Sequence, residues 1–314
     1  MSIYFLSQKF KDSKTTNFAF LQLQTLFQSR INKLGIEKYI FYIAHTVMKG
    51  KIKPNYSINF TKFAPHIKTQ KNMSRLLLIS NSTMAGEAYL GWPQQYIKDF
   101  LKTDVKRVLF IPYAGVNLSD KGLQASWDAY EQRVADVYKT LGYELYSIHS
   151  EADPIKAVEE AESIAVGGGN TFYLVKMLHE TGIISAIKKR VEAGMPYMGW
   201  SAGSNSACPS LRTTNDMPIV EPDSFDCVGL IPFQINPHYL DAHPDGHGGE
   251  TREQRLEEFM AVNPDMYIVG LREACLLQME GDKMELKGAH SMRIFKQGQE
   301  TYEIEPGADL SFLF

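Results

Sequence analysis

The chain has 314 residues, 44% hydrophobic and 22% charged, a composition that excludes a mostly disordered protein. No run reaches the 18 or more apolar residues of a membrane span; residues 39–48 come nearest and carry His45 and Thr46. Three cysteines, Cys208, Cys227 and Cys275, are too few for a disulfide framework and lack C-x-x-C spacing. That usage points to a reducing compartment and a cytoplasmic location.

The formal net charge of −3 is a sum over two compositions. Residues 1–72 hold 12 Lys and Arg against 2 Asp and Glu, whereas residues 73–314 hold 21 against 34. Lys, Asn, Ile, Phe and Tyr, the residues of A/T-rich codons, fill 36 of the first 72 positions. Four readings compete for this segment. It is a binder of nucleic acid or anionic membrane, an organellar leader, a small helical module around residues 18–31, or an upstream stretch read in frame before Met73. A leader is disfavoured because Arg30 is its only arginine, and a basic balance alone is weak support for nucleic-acid binding. We read residues 1–72 as a basic, non-catalytic, poorly ordered extension and residues 73–314 as one acidic catalytic domain. Neither nucleic acid nor a membrane is an expected partner of that domain.

From Met73 onward, short apolar runs alternate with amphipathic ones. Residues 75–80 and 107–112 read as strands buried on both faces, with a helix around residues 96–101 between them. Leu123, Trp127, Tyr130, Val134, Val137 and Leu141 form one apolar helical stripe that stops at Gly142. Its Trp and Tyr residues are read as core. Strands follow at 143–148, 163–166 and 195–200, with helices opening at Pro154 and spanning 171–180 and 183–193. Residues 251–262 are helical and 267–270 form another buried strand. After Cys275 the pattern changes to short alternating strands with turns at Gly281-Asp282 and Gln297-Gly298. The expected fold is an α/β parallel sheet covered on both faces, with an antiparallel edge near the C-terminus.

Gly199-Trp-Ser201-Ala-Gly203 closes a predicted strand and opens a predicted helix. A sharp turn there exposes Ser201 as a nucleophile, and the helix N-terminus favours developing negative charge. Gly167-Gly-Gly-Asn-Thr171 also follows a strand, and consecutive backbone N–H groups in such a turn suit an oxyanion. It is neither a full dinucleotide fingerprint nor a Walker loop. Of the eight histidines, His238 in Asn236-Pro-His238 is the candidate base. His243 and His247 sit among Pro244, Gly246 and Gly248, which argues against a helical metal pair. Two carboxylates compete to orient the base. Asp216 lies in a polar loop, and Glu273 directly follows a strand whose C-terminus faces the site in doubly wound folds.

These residues together resemble the dipeptidase E, or aspartyl dipeptidase, family of serine peptidases. The resemblance covers nearly all of residues 73–314. It includes Leu77-Leu-Ile-Ser-Asn-Ser-Thr83, Val166-Gly-Gly-Gly-Asn-Thr-Phe172, Arg212-Thr-Thr-Asn-Asp-Met-Pro-Ile-Val220, Gln234-Ile-Asn-Pro-His238 and Gly249-Glu-Thr-Arg-Glu-Gln-Arg255. It implies a three-layer αβα sandwich of the class I glutamine amidotransferase, flavodoxin-like type, and hydrolysis of dipeptides with an N-terminal aspartate. By position, it implies Ser201 as nucleophile and His238 as base, with Asp216 or Glu273 as the acidic member. Gly168 and the N–H of Ala202 would form the oxyanion hole, and Asn170 and Arg252 would recognise substrate. Arg252 or Arg212 suits the aspartate side chain, and Glu250 or Asp216 the α-amino group. One departure stands beside the site, where Leu271-Arg-Glu-Ala274 replaces the family's Leu-Pro-Glu-Gly; losing Pro and Gly is expected to shift the backbone that holds Glu273.

No metal or cofactor is expected, and small Asp-X dipeptides are the expected partners of a monomer. An amidotransferase would want cysteine at position 201, and in an α/β-hydrolase esterase the acid lies far downstream of the nucleophile. A cyanophycinase-like hydrolase of aspartyl peptides is the nearest enzymatic rival; a non-catalytic binding protein of the same fold is the rival from another class. A chain beginning at Met73 is expected to keep its fold and activity, as checked by circular dichroism and a hydrolysis assay; unfolding on truncation would refute the two-part reading.

Overall fold

The computed structural model describes residues 73–241, 246 and 248–314; the basic segment 1–72 and the loop histidines His243 and His247 lie outside the described residues. Strands β1 (Arg75–Ile79), β2 (Arg107–Ile111), β3 (Glu144–Ser147), β4 (Ile164–Val166) and β5 (Pro196–Trp200) run parallel in the order β3-β2-β4-β5-β1. Strands β8 (Cys275–Glu280) and β9 (Lys283–Gly288) extend this sheet antiparallel beyond β1 to give seven strands.

The apolar runs are continuous because successive residues feed opposite cores. Leu76 and Leu78 of β1, with Leu109 and Ile111 of β2, face one core. Leu77, Ile79, Val108 and Phe110 face the other. Helices α1 (Gln94–Leu101) and α2 (Leu123–Leu141) cover the second face. Helices α3 (Pro154–Glu160), α4 (Thr171–Glu180) and α5 (Ile184–Glu192) cover the first. This is the three-layer αβα arrangement.

Local chemistry fixes the helix ends. Asp153 accepts the Lys156 N–H at the start of α3, directly before Pro154. Gly142 stops α2 at φ +93°, and its N–H returns to the Lys139 carbonyl. Helix α6 (Ala202–Asn205) is a single turn after β5. Helix α7 (Arg252–Val262) opens on a capping box, in which Thr251 accepts the Gln254 N–H and the Gln254 side chain accepts the Thr251 N–H.

One expectation needs correcting. The strands after β5 do not all join an edge of the main sheet. Strands β6 (Gln234–Tyr239), β7 (Ile268–Arg272), β10 (Met292–Phe295) and β11 (Tyr302–Ile304) form a second sheet in the order β11-β10-β7-β6. Within it β6 and β7 are parallel and the other pairs antiparallel. Strand β6 lies at an edge, where Pro237 and its missing N–H are tolerated. Ile235, Val269, Leu271 and Ile294 pack into the first core, while Tyr239, Ile268 and Phe295 pack with Leu256 and Met260 of α7. The second sheet delivers β6 and β7 to the C-terminal ends of β1 and β5.

Candidate active site

Ser201 sits between β5 and α6 at φ +53°, ψ −112°, a strained backbone for a residue with a side chain. The turn closes because Gly199 and Gly203 lack side chains. A Cβ on Gly203 would stand 2.1 Å from the Val166 carbonyl oxygen. Ser201 N–H donates to the Ile79 carbonyl of β1 at 3.0 Å, as does the Ser204 hydroxyl at 2.7 Å. These bonds fix the turn between β4 and β1.

His238 interrupts the pairing of β6 with β7, at a register shift between Pro237 and Tyr239, and takes φ +51°. Its Nε2 lies 3.0 Å from Ser201 Oγ, and its Nδ1 lies 2.7 Å from Glu273 Oε1. The side chains form one hydrogen-bonded line from carboxylate to imidazole to hydroxyl. With Nδ1–H donating to Glu273, Nε2 is left to accept the Ser201 proton.

Asp216 does not reach His238. Its Oδ2 accepts the Thr171 N–H at 2.7 Å, the Thr171 hydroxyl, and the Thr214 hydroxyl at 3.1 Å. It therefore satisfies orphan donors at the start of α4, directly after the triple-glycine turn. Asn170 caps the same helix by accepting the Tyr173 N–H, and its amide donates to the Met217 carbonyl.

At Glu273 the chain follows a backbone that suits a glycine at the next position. Ala274 takes φ +57°, the conformation a glycine would favour, and its N–H donates to Asn81 Oδ1 at 2.9 Å. Arg272, at the expected proline, anchors the strand end instead. Its guanidinium grips Asp241 at 2.8 and 2.7 Å and Glu303 at 2.7 and 2.9 Å. Arg293 joins this cluster through Asp241 at 3.6 Å and Glu303 at 3.5 Å, and pairs outside it with Glu253 at 3.0 Å. Arg272 thus holds Asp241, two residues past β6, to the residue just before Glu273.

The Gly168 turn lies against the nucleophile; a Cβ on Gly168 would be 2.9 Å from Ser201 Cβ. Among the described residues, the N–H groups of Gly168 and Ala202 donate to no protein acceptor. The Gly168 carbonyl accepts the Tyr130 hydroxyl at 2.9 Å, and Trp200 Nε1–H donates to the hydroxyls of Tyr89 and Tyr130 at 3.0 and 3.1 Å. Burial pushes both phenols up, so they act as neutral hydrogen-bonding groups. Tyr130 is therefore more than the core residue its apolar stripe suggested. Beside Ser201 opens a cavity of about 400 Å³, in the size class of small-molecule sites.

The other candidates fall at different distances from this cavity. Arg252 donates to the His238 carbonyl, and its half-burial pulls the guanidinium below its ordinary value. Arg212 is exposed and stacks over Phe225, and Glu250 pairs with Arg255 at 3.6 Å. Among the described residues no group of three or more His, Cys, Asp or Glu is placed to hold a metal ion. Ser80 and Asn81 were legible only as the polar close of a strand. Ser80 accepts the His238 N–H at 2.9 Å and donates to the Leu271 carbonyl at 2.8 Å.

The sequence profile of peptidase family S51 matches residues 76–287. The chain belongs to this family. Among S51 relatives, Peptidase E of Nostoc sp. (strain PCC 7120) is 47% identical over 239 residues, covering 76% of this chain and 96% of that protein. Peptidase E of Salmonella typhimurium is 45% identical over 232 residues, covering 74% and 98%. The crystal structure of a peptidase from an acI-B1 actinobacterium superposes with a TM-score of 0.57 at 19% identity, covering 76% of this chain and 97% of that one. That likeness bears on the S51 fold alone.

The Arg272 cluster makes a pH prediction for this S51 chain. Arg272 holds the Asp241 and Glu303 carboxyls below their ordinary values of 3.8 and 4.5. Groups with depressed folded pKa values stabilise the fold above their unfolded values, and that contribution is lost as pH falls through the folded ones. Both carboxylates are more than a third exposed, so solvent weakens the effect. Arg272→Met should therefore lower stability near neutrality and flatten its decline between about pH 5 and about pH 2. Urea unfolding across that range checks it; an unchanged acid limb would count against the coupling.

Proposed function

We propose that the chain is a serine dipeptidase that hydrolyses dipeptides with an N-terminal aspartate through an acyl-enzyme on Ser201. The observation that carries this reading is the unbroken line Glu273–His238–Ser201, whose His238 and Ser201 line the cavity. His238 Nε2 takes the Ser201 proton as Oγ attacks the peptide carbonyl, while Glu273 fixes the tautomer and stabilises the imidazolium. The N–H groups of Gly168 and Ala202 receive the oxyanion. Protonated His238 gives its proton to the leaving amine, and water repeats the cycle on the aspartyl ester.

Glu273 is the orienting carboxylate in this reading. Asp216 instead keeps the triple-glycine turn in place by binding the first donors of α4. Names of the relatives and the family membership support peptidase chemistry, and the resemblance supports the aspartate preference. We also place the chain in the cytoplasm. Cys208, Cys227 and Cys275 are buried free thiols, and burial pushes Cys208 up to about 12, far from a reactive thiolate.

A panel of Asp-Leu, Glu-Leu and Asn-Leu tests the proposal with wild type and Ser201→Ala. Asp-Leu cleavage is expected, insensitive to chelators, and reduced by at least about 10³-fold in the variant. No cleavage of any Asp-X dipeptide, or full activity without the hydroxyl, would sink the reading. In the same assay Glu273→Gln should lower kcat by roughly 10²–10⁴-fold, as loss of the orienting acid does in serine triads. If Glu273→Gln keeps full turnover while Asp216→Asn abolishes it, the acid is Asp216.

A further inference from the structure

The cavity beside Ser201 has an uneven distribution of charge. Among the described residues, its walls include Ser82, Asn117, Asn170 and His238, and no aspartate or glutamate. Arg133 is the one Lys or Arg among them. Most other described arginines near either sheet are engaged. Arg272 and Arg293 bind carboxylates, Arg75 pairs with Glu280, and Arg107 with Glu144. Arg252 donates to the His238 carbonyl. Arg133 has no carboxylate within ion-pair distance among the described residues, and its guanidinium lies over the Tyr89 ring, 5.6 Å from the centroid.

The backbone that carries the exposed Arg133 side chain is fixed by groups that also fix the nucleophile. It stands on α2, three residues after Tyr130 and one before Val134, both buried in the core. Tyr130 binds the Gly168 carbonyl, and Tyr89 and Tyr130 both accept from Trp200, the residue before Ser201. A rigid helix therefore carries an unpaired guanidinium on the same scaffold as the attacking hydroxyl. A planar fork of N–H donors, in a cavity whose described walls carry no acid and include Asn117 and Ser82, suits a carboxylate held by two parallel bonds.

We propose that Arg133 is a specificity-determining residue whose guanidinium receives a carboxylate of the substrate in the cavity beside Ser201. This rests on reading the chain as a dipeptidase. An Asp-X dipeptide offers two such groups, the aspartate side chain and the C-terminal carboxylate. Anchoring either one places the peptide bond against Ser201, and binding to the C-terminal one would restrict cleavage to short peptides.

The test separates binding from turnover. Calorimetry in the Ser201→Ala background, with and without Arg133→Gln, measures affinity for Asp-Leu, Asn-Leu and Asp-leucinamide. Arg133→Gln should weaken Asp-Leu about 10- to 100-fold, with Arg133→Lys intermediate. The ligand whose affinity is indifferent to Arg133→Gln names the group read. Indifference of Asn-Leu assigns the side chain, and indifference of Asp-leucinamide assigns the C-terminus. In the Ser201-intact enzyme, the same change should raise KM with little loss of kcat. Asp-Leu affinity unchanged by Arg133→Gln, or no binding of any of the three ligands to Ser201→Ala, overturns the proposal. Cleavage by wild type is read separately. Asp-Leu hydrolysis with an indifferent Arg133 defeats only this inference, and Arg133-dependent binding without hydrolysis defeats only the dipeptidase reading.

Discussion

The hydroxyl of Ser80 joins the two sheets at the point where the site is assembled. It is wholly buried at the end of β1, accepts the His238 N–H from β6 and donates to the Leu271 carbonyl on β7. Leaving a buried polar group unsatisfied costs about 1–3 kcal/mol, so both bonds resist rupture. One atom therefore sets the height of both β6 and β7 above the main sheet. Ser201 belongs to the main sheet through Ile79, the residue before Ser80. Two adjacent residues of one strand thus fix all three members of the Glu273–His238–Ser201 line.

The same line is held in sparsely populated backbone conformations. Among the described residues, five without the freedom of glycine have positive φ, and Ser201, His238 and Ala274 are three of them. Such strain costs on the order of 1–3 kcal/mol per residue and persists only where surroundings over-determine it. The surroundings here are polar. Asn81 holds Ala274, Ser80 holds His238, and Arg272 clamps Asp241 and Glu303 beside Glu273. At this strand end the chain uses an ion cluster.

The parallel sheet was legible in the sequence because β1, β2, β4 and β5 are buried on both faces and read as unbroken apolar runs. Helix α2 was legible from its stripe and its terminal glycine. The second sheet was not. Gln234, Asn236 and Pro237 give β6 no period, and β7 is as apolar as a strand of the main sheet. Ser201, His238 and the glycine turn stood out as strand-end chemistry. The two acids could not be separated, because the choice depends on which carboxylate the fold carries to His238 Nδ1. Arg133 gave no signal at all. A helical stripe shows which face meets the core, while a polar residue's view of a cavity depends on loops that close from β1, β2 and β4.

The order of these parts along the chain has a consequence in time. Ser80 and the nucleophile turn precede the imidazole and Glu273, which come with strands that follow β5. Two of the groups that steady Arg272 come later still, at Ser291 and Glu303. A ribosome-bound chain with only the five parallel strands holds a serine hydroxyl with no base beside it. The nucleophile is thus inert when it is made, and it is armed only when the second sheet docks.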